Sequence, residues 1–132
     1  MSIGIYSYHI DIVYNYLTIV LGYKVNRFAF GLTEALGRIN YLTKEILINC
    51  SEAKEALFVI THEAGHALAA LIIGQNIEEK INCRKTREMY AYVFGRRIIK
   101  LLKLPITDEQ WMIYHEQEIL EYHNLIRWKN SK

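Results

Sequence analysis

The 132-residue sequence predicts an α+β domain, a small antiparallel sheet of about three strands covered by helices. Three observations carry this. Residues 9–22 and 52–73 place apolar side chains at helical spacing. Between them lie only short runs of strand character, at 23–30, 39–42 and 45–49. After residue 83 the pattern is helical again, which argues against a βαβ layout. The length suits one domain, 1–132, with one core, and a hydrophobic content of 52% is enough to build it.

Each element has a local reason. In "HIDIVYNYLTIVLG" (9–22) the apolar positions are 10, 13, 14, 17, 20 and 21, and Gly22 is a natural stop. "YKVNRFAF" (23–30) alternates, with Val25, Phe28 and Phe30 on the apolar side. "GLTEALGR" (31–38) reads as a loop. "INYL" and "EILIN" then form a hairpin around Thr43 and Lys44. Ser51 is the expected N-cap of the next helix, with Glu52 and Glu55 favouring its first turn and Gly74 ending it. A polar connection over 75–83 leads to a third helix, 84–103, which must end before Pro105. Thr107 and Gln110 match a capping box that opens a last helical segment reaching about residue 129.

Composition excludes little. The net charge of +2 is too near neutral to argue for any partner. Cys50 and Cys83 lie in no metal-binding spacing, so free thiols in a reducing compartment are expected. No leader pattern opens the chain and no 18 uninterrupted apolar residues occur, so the expected setting is the cytoplasm, with no membrane partner.

The chemistry sits in "FVITHEAGHALAAL" (58–71). At 100° per residue, Leu57, Ile60, Ala64, Ala67, Leu68 and Leu71 form a core face. His62, Glu63 and His66 share the opposite side with Val59, Ala70 and Ile73, so another element should cover it. Three ionisable groups buried there are costly unless something satisfies them. "HEAGH" fits HExxH. Histidines at i and i+4 can reach one zinc ion, and the glutamate at i+1 sits beside it, placed to take a proton from water as general base. Ala64 and Gly65 are small enough to let neighbouring backbone come close. An HExxH string on an exposed helix would mean little; within an apolar helix it points to a metal site.

A third ligand is needed. Position 72 is Ile, which excludes the HExxHxxGxxH pattern. Glu88 is the favoured ligand, an acid alone among seven bases in 84–103 and 22 residues after His66. The alternative is an ion pair of Glu88 with Arg84. Glu78 and Glu79 fall in the connecting loop, and Asp108, Glu109, Glu116 and His115 are outer candidates.

"EILIN", the acidic helix start and "LFVITHEAGHAL", with "EMYAYV" (88–93) after them, resemble the ImmA/IrrE metallopeptidases. "LGRINYLTKEILIN" is similar to that family's preceding strand pair. The resemblance covers roughly residues 10–105 and implies a minimal zincin-like fold with a gluzincin-like site. His62, His66 and Glu88 would hold zinc, and Glu63 would be the general base. It also implies a protein substrate, a helix-turn-helix repressor, in the setting of a phage or mobile element. Position 90 is Tyr where that family has Asn or Asp. "HEAGHALAA" is also similar to FtsH-type proteases, a lower-ranked alternative because no P-loop is present. A non-catalytic, metal-bearing module that binds protein or DNA is the other alternative.

Further expectations concern the surroundings. Tyr41, Tyr92, His115 and His123 are candidates to steady an oxyanion. The segment 44–48 is the expected edge strand on which an extended substrate could add. Arg96, Lys100 and Lys103 form a short basic stripe, read as a solvated face, so nucleic acid is not an expected partner. The C-terminal stripe containing Trp111 and Tyr114 reads as packing, with His115 and His123 as surface histidines.

Overall fold

A computed structural model of the chain describes residues 3–26, 36–50, 52–74 and 84–116. Helix α1, Ile3–Asn15, runs on into a π-helical turn, Tyr16–Val20. Three strands follow: β1, Lys24–Asn26; β2, Gly37–Asn40; and β3, Glu45–Ile48. Helix α2 spans Ala53–Ile73 and α3 spans Arg84–Leu102. A further helix, α4, occupies 108–116. The predicted class, α+β with a three-stranded sheet beside the HExxH helix, is therefore the observed one. Expectations for 27–30, Ser51, the 75–83 connection with Glu78, Glu79 and Cys83, and everything beyond 116, including His123, fall outside the described residues. So does the side chain of Arg84.

The π turn has a visible companion. Thr18 Oγ1 donates back to the Tyr14 carbonyl at 3.0 Å, the acceptor that the amide of residue 18 uses in a regular helix. The Leu21 amide then reaches Tyr16 O at 3.1 Å. Gly22, at φ +74°, ends the helix as its position predicts.

In the sheet the strand order is β1-β3-β2. β2 and β3 form the predicted antiparallel hairpin, with Ile39 opposite Ile46. Asn40 Oδ1 accepts from the amides of Leu42 and Thr43 at 3.0 and 3.1 Å, closing the turn, and Lys44 takes a left-handed φ of +53°. The hairpin claims Gly37 and Arg38 for β2, although the sequence reads them as loop. The sheet is mixed rather than wholly antiparallel, because β1 runs parallel to β3, Val25 opposite Ile46. The physical reason lies in β3. Ile46 and Ile48 are 0% and 3% exposed, so β3 is a central strand, and Val25 joins the same buried face.

The core gathers around α2, which packs on α3, α1 and the sheet. Leu57, Ile60, Ala64 and Ala67 are buried as expected, but Leu71 is 68% exposed because the last turn outruns the core. By length and composition α2 could cross a membrane, yet 78% of its apolar window is buried inside the fold, as in a core helix. Its N-cap is Glu52. The Glu52 carboxylate accepts from two amides, Lys54 N at 3.1 Å and Glu55 N at 2.7 Å, and puts negative charge at the helix start. The Thr107–Gln110 capping box forms reciprocally, at 3.0 and 3.1 Å.

Two glycines set the spacing of α2, α3 and α4. A Cβ at Gly65 would stand 2.5 Å from Ala91 O and 2.9 Å from Gly95 N, both backbone atoms of α3. A Cβ at Gly95 would collide with the Trp111 ring, which is fully buried. Gly65→Ala should therefore destabilise the fold by at least about 1–3 kcal/mol, since backbone cannot move aside as a side chain can. Gly4→Ala, within 4 Å of nothing, should shift stability by less than about 1 kcal/mol, upward. Urea unfolding of the two variants checks this, and equal midpoints would contradict it.

Candidate metal centre

Three side chains from two helices meet beneath the sheet. His62 and His66 face one another across one turn of α2, with ring centroids 4.9 Å apart. Glu88, from the first turns of α3, is brought to them. Its Oε2 lies 3.0 Å from His62 Nε2 and its Oε1 lies 3.8 Å from His66 Nε2. One ligand atom from each of the three lies within 4.8 Å of the others. Of the acids named from the sequence, Glu88 is the one found there among the described residues. Asp108 is instead in a surface pair with Arg96, at 3.1 and 3.2 Å, and Glu109 and Glu116 are exposed.

The short Glu88 contact falls outside regular hydrogen-bond geometry. Among the described residues Glu88 Oε2 is a buried oxygen without a hydrogen-bond partner, although an imidazole nitrogen stands 3.0 Å away. A buried carboxylate oxygen left so is unfavourable by itself. Two imidazole nitrogens and one carboxylate oxygen are a fitting donor set for a divalent ion of the zinc type, with a position left for water or substrate. Burial alone would raise the Glu88 carboxyl, but His62 and His66 beside it outweigh burial and hold it below the usual carboxylate range.

Glu63 is 6% exposed and lines a cleft of about 480 Å3 together with His62, His66 and Glu88. Burial raises its carboxyl above the ordinary value; His62 and His66 pull the other way, and Glu88 adds to the rise. Strand β2 forms one wall. A Cβ at Gly37 would come 2.6 Å from Val59 Cγ1 and 3.1 Å from Glu63 Oε1, so only glycine lets this strand lie directly against the Glu63 carboxylate.

Other predicted positions divide. Tyr41 reaches the cleft. Tyr92 does not line it; its carbonyl accepts from Trp111 Nε1 at 3.0 Å. His115 is no surface histidine. It is 2% exposed, and its Nε2 lies 2.8 Å from His62 Nδ1. The surface reading fails because α4 turns this side of its stripe inward beside Trp111. Cys50 is a free thiol, as expected, and it is no ligand here. Burial and the neighbouring Glu55 push it up to about 11. The sequence reading missed Arg38, Arg87 and Tyr114, which also line the cleft. Only the position of Arg87, next to Glu88, could have flagged one of them.

An HExxH helix whose two histidines meet a glutamate from the following helix defines a metal-dependent peptidase class. Residues 14–79, half of the chain, match peptidase family M48, and the chain belongs to that family. No curated protein and no solved structure matches it. The expected class is thus met. The family match covers α2 and stops before Glu88, whose place at the site comes from the fold alone.

A pH test follows from Glu63. Its folded-state carboxyl is raised, so ionising it costs the fold stability as pH climbs above the ordinary glutamate value of 4.5. Metal-free Glu63→Gln should melt with wild type in acid and above it at neutral pH. A gap independent of pH, or a less stable variant at neutral pH, would contradict burial as the main cause.

Proposed function

We propose that this protein is a zinc-dependent endopeptidase, with His62, His66 and Glu88 as metal ligands and Glu63 as general base. The observation that carries the reading is the convergence of those three donors around an unsatisfied buried carboxylate oxygen, next to a second buried glutamate. A zinc ion held there would polarise a peptide carbonyl and activate water. Glu63 holds the transferable proton. Its raised carboxyl suits a group that takes a proton from water and returns it to the leaving amine. Tyr41 and Tyr114 line the cleft and are candidates to steady an oxyanion.

Substrate binding belongs to β2 rather than to 44–48. β3 is paired on both sides, whereas β2 is an edge of the described sheet and lines the cleft through Gly37, Arg38 and Ile39. An extended peptide could add there as a further strand, its scissile bond near Glu63. The likeness of "EILIN" and "EMYAYV" to ImmA/IrrE proteins supports a helix-turn-helix repressor as substrate, cleaved in the cytoplasm by a single domain spanning 1–132. Nucleic acid is not a proposed partner, since Arg96 of the basic stripe is engaged by Asp108.

Metal content by mass spectrometry, with hydrolysis of an unfolded protein such as casein and of candidate repressors, tests the reading. Wild type should carry about one zinc, and His62→Ala and Glu88→Ala should lose it. Glu63→Gln should keep the metal and slow hydrolysis by about 10²–10⁴-fold. A metal-free wild type, or a fully active Glu63→Gln, would refute it. Gly37→Ala should also keep the metal while lowering kcat, by up to about 100-fold, because the new methyl displaces Glu63. An unchanged kcat would remove β2 from the site.

A further inference from the structure

The side of His62 turned away from Glu88 meets a chain of hydrogen bonds running into α4. His115 Nδ1 lies 3.0 Å from the carbonyl oxygen of Trp111, one turn back in the same helix. A carbonyl only accepts, so Nδ1 carries the proton. The His115 ring is enclosed by aromatic rings, with centroids 4.3 Å from Trp111, 5.1 Å from Tyr114 and 5.4 Å from Tyr92. That enclosure favours the neutral imidazole, whose other nitrogen, Nε2, is then a lone pair. His115 Nε2 stands 2.8 Å from His62 Nδ1, with the two rings stacked at 26°. The bridging proton must belong to His62 Nδ1. His62 Nε2 is then the ring nitrogen turned toward the metal position beside Glu88.

We propose that His115 is a positioning residue which, anchored on the Trp111 carbonyl, holds His62 in its Nδ1–H tautomer with Nε2 directed at the metal position. Its use for metal binding rests on the metallopeptidase reading; the contact between His62 Nδ1 and His115 Nε2 is a property of the fold itself. The device depends on packing. Trp111 fills the notch at Gly95, and this fixes the turn of α4 from which His115 projects. Carboxylates and backbone carbonyls commonly orient metal-binding histidines. Here a second histidine relays the backbone carbonyl's direction without adding charge.

Long-range ¹H–¹⁵N correlation spectra of metal-free, ¹⁵N-labelled protein read the tautomer directly. Wild-type His62 should be protonated at Nδ1. In His115→Phe, which fills the space and removes the acceptor, His62 should move toward Nε2–H. Zinc affinity, measured by competition with a chromophoric chelator, should fall about 10–100-fold. His115→Gln, whose side-chain carbonyl can accept in place of Nε2, should restore most of that affinity. Wild-type His62 protonated at Nε2 would overturn the proposal, whether or not the variants fold. So would a cooperatively melting His115→Phe with unchanged tautomer and affinity. The expected tautomer in a protein that hydrolyses nothing would sink the peptidase reading and leave this one standing.

Discussion

The close approach of α2 and α3 is the constraint on which the rest depends. Gly65 meets the backbone of Ala91 and Gly95 with no room for a side chain, and Gly95 receives the Trp111 ring. Those contacts hold two helices at one distance and bring α4 against both. Glu88 stands beside His62 and His66 because α3 is set at that distance. His115 stands behind His62 because Trp111 locks the helix that carries it. The site is thus a consequence of helix packing, with the sheet supplying its wall.

Burial gives the centre its chemistry and makes it costly to keep. His62, Glu63 and His66 are each 6–7% exposed in a helix whose other buried side chains, Thr61 apart, are apolar. Glu88 meets the His62 ring at 3.0 Å outside regular hydrogen-bond geometry. A dication would resolve both problems, since it takes a lone pair from His62 Nε2 and one from the Glu88 carboxylate. Burial also separates the two glutamates. Glu88 is held ionised by the histidines, whereas Glu63 is pushed toward protonation, which suits one to bind metal and the other to move protons.

The sequence was most legible where the signal is local. HExxH spacing, the glycines that end two helices and the Thr107–Gln110 box all depend on residues within a turn or two of one another. Glu88 could also be singled out, because it is an acid among bases in the helix after the motif. What depends on distant pairing could not be read. The parallel partnership of β1 with β3 joins segments with strand β2 between them in the chain, and it made β2 an edge. His115 lay on a stripe that periodicity marks as amphipathic, but periodicity does not say which element the stripe will meet. Glu52 as N-cap could not be read, because a glutamate carboxylate spanning two amides is a geometric option that cap preferences rank low.

X-ray absorption spectroscopy of the zinc-loaded, tag-free protein tests the central claim most directly. The account predicts a first shell of nitrogen and oxygen at about 2.0–2.2 Å, with the outer-shell pattern of two imidazoles. A sulfur scatterer at about 2.3 Å, or a shell without imidazole, would contradict it.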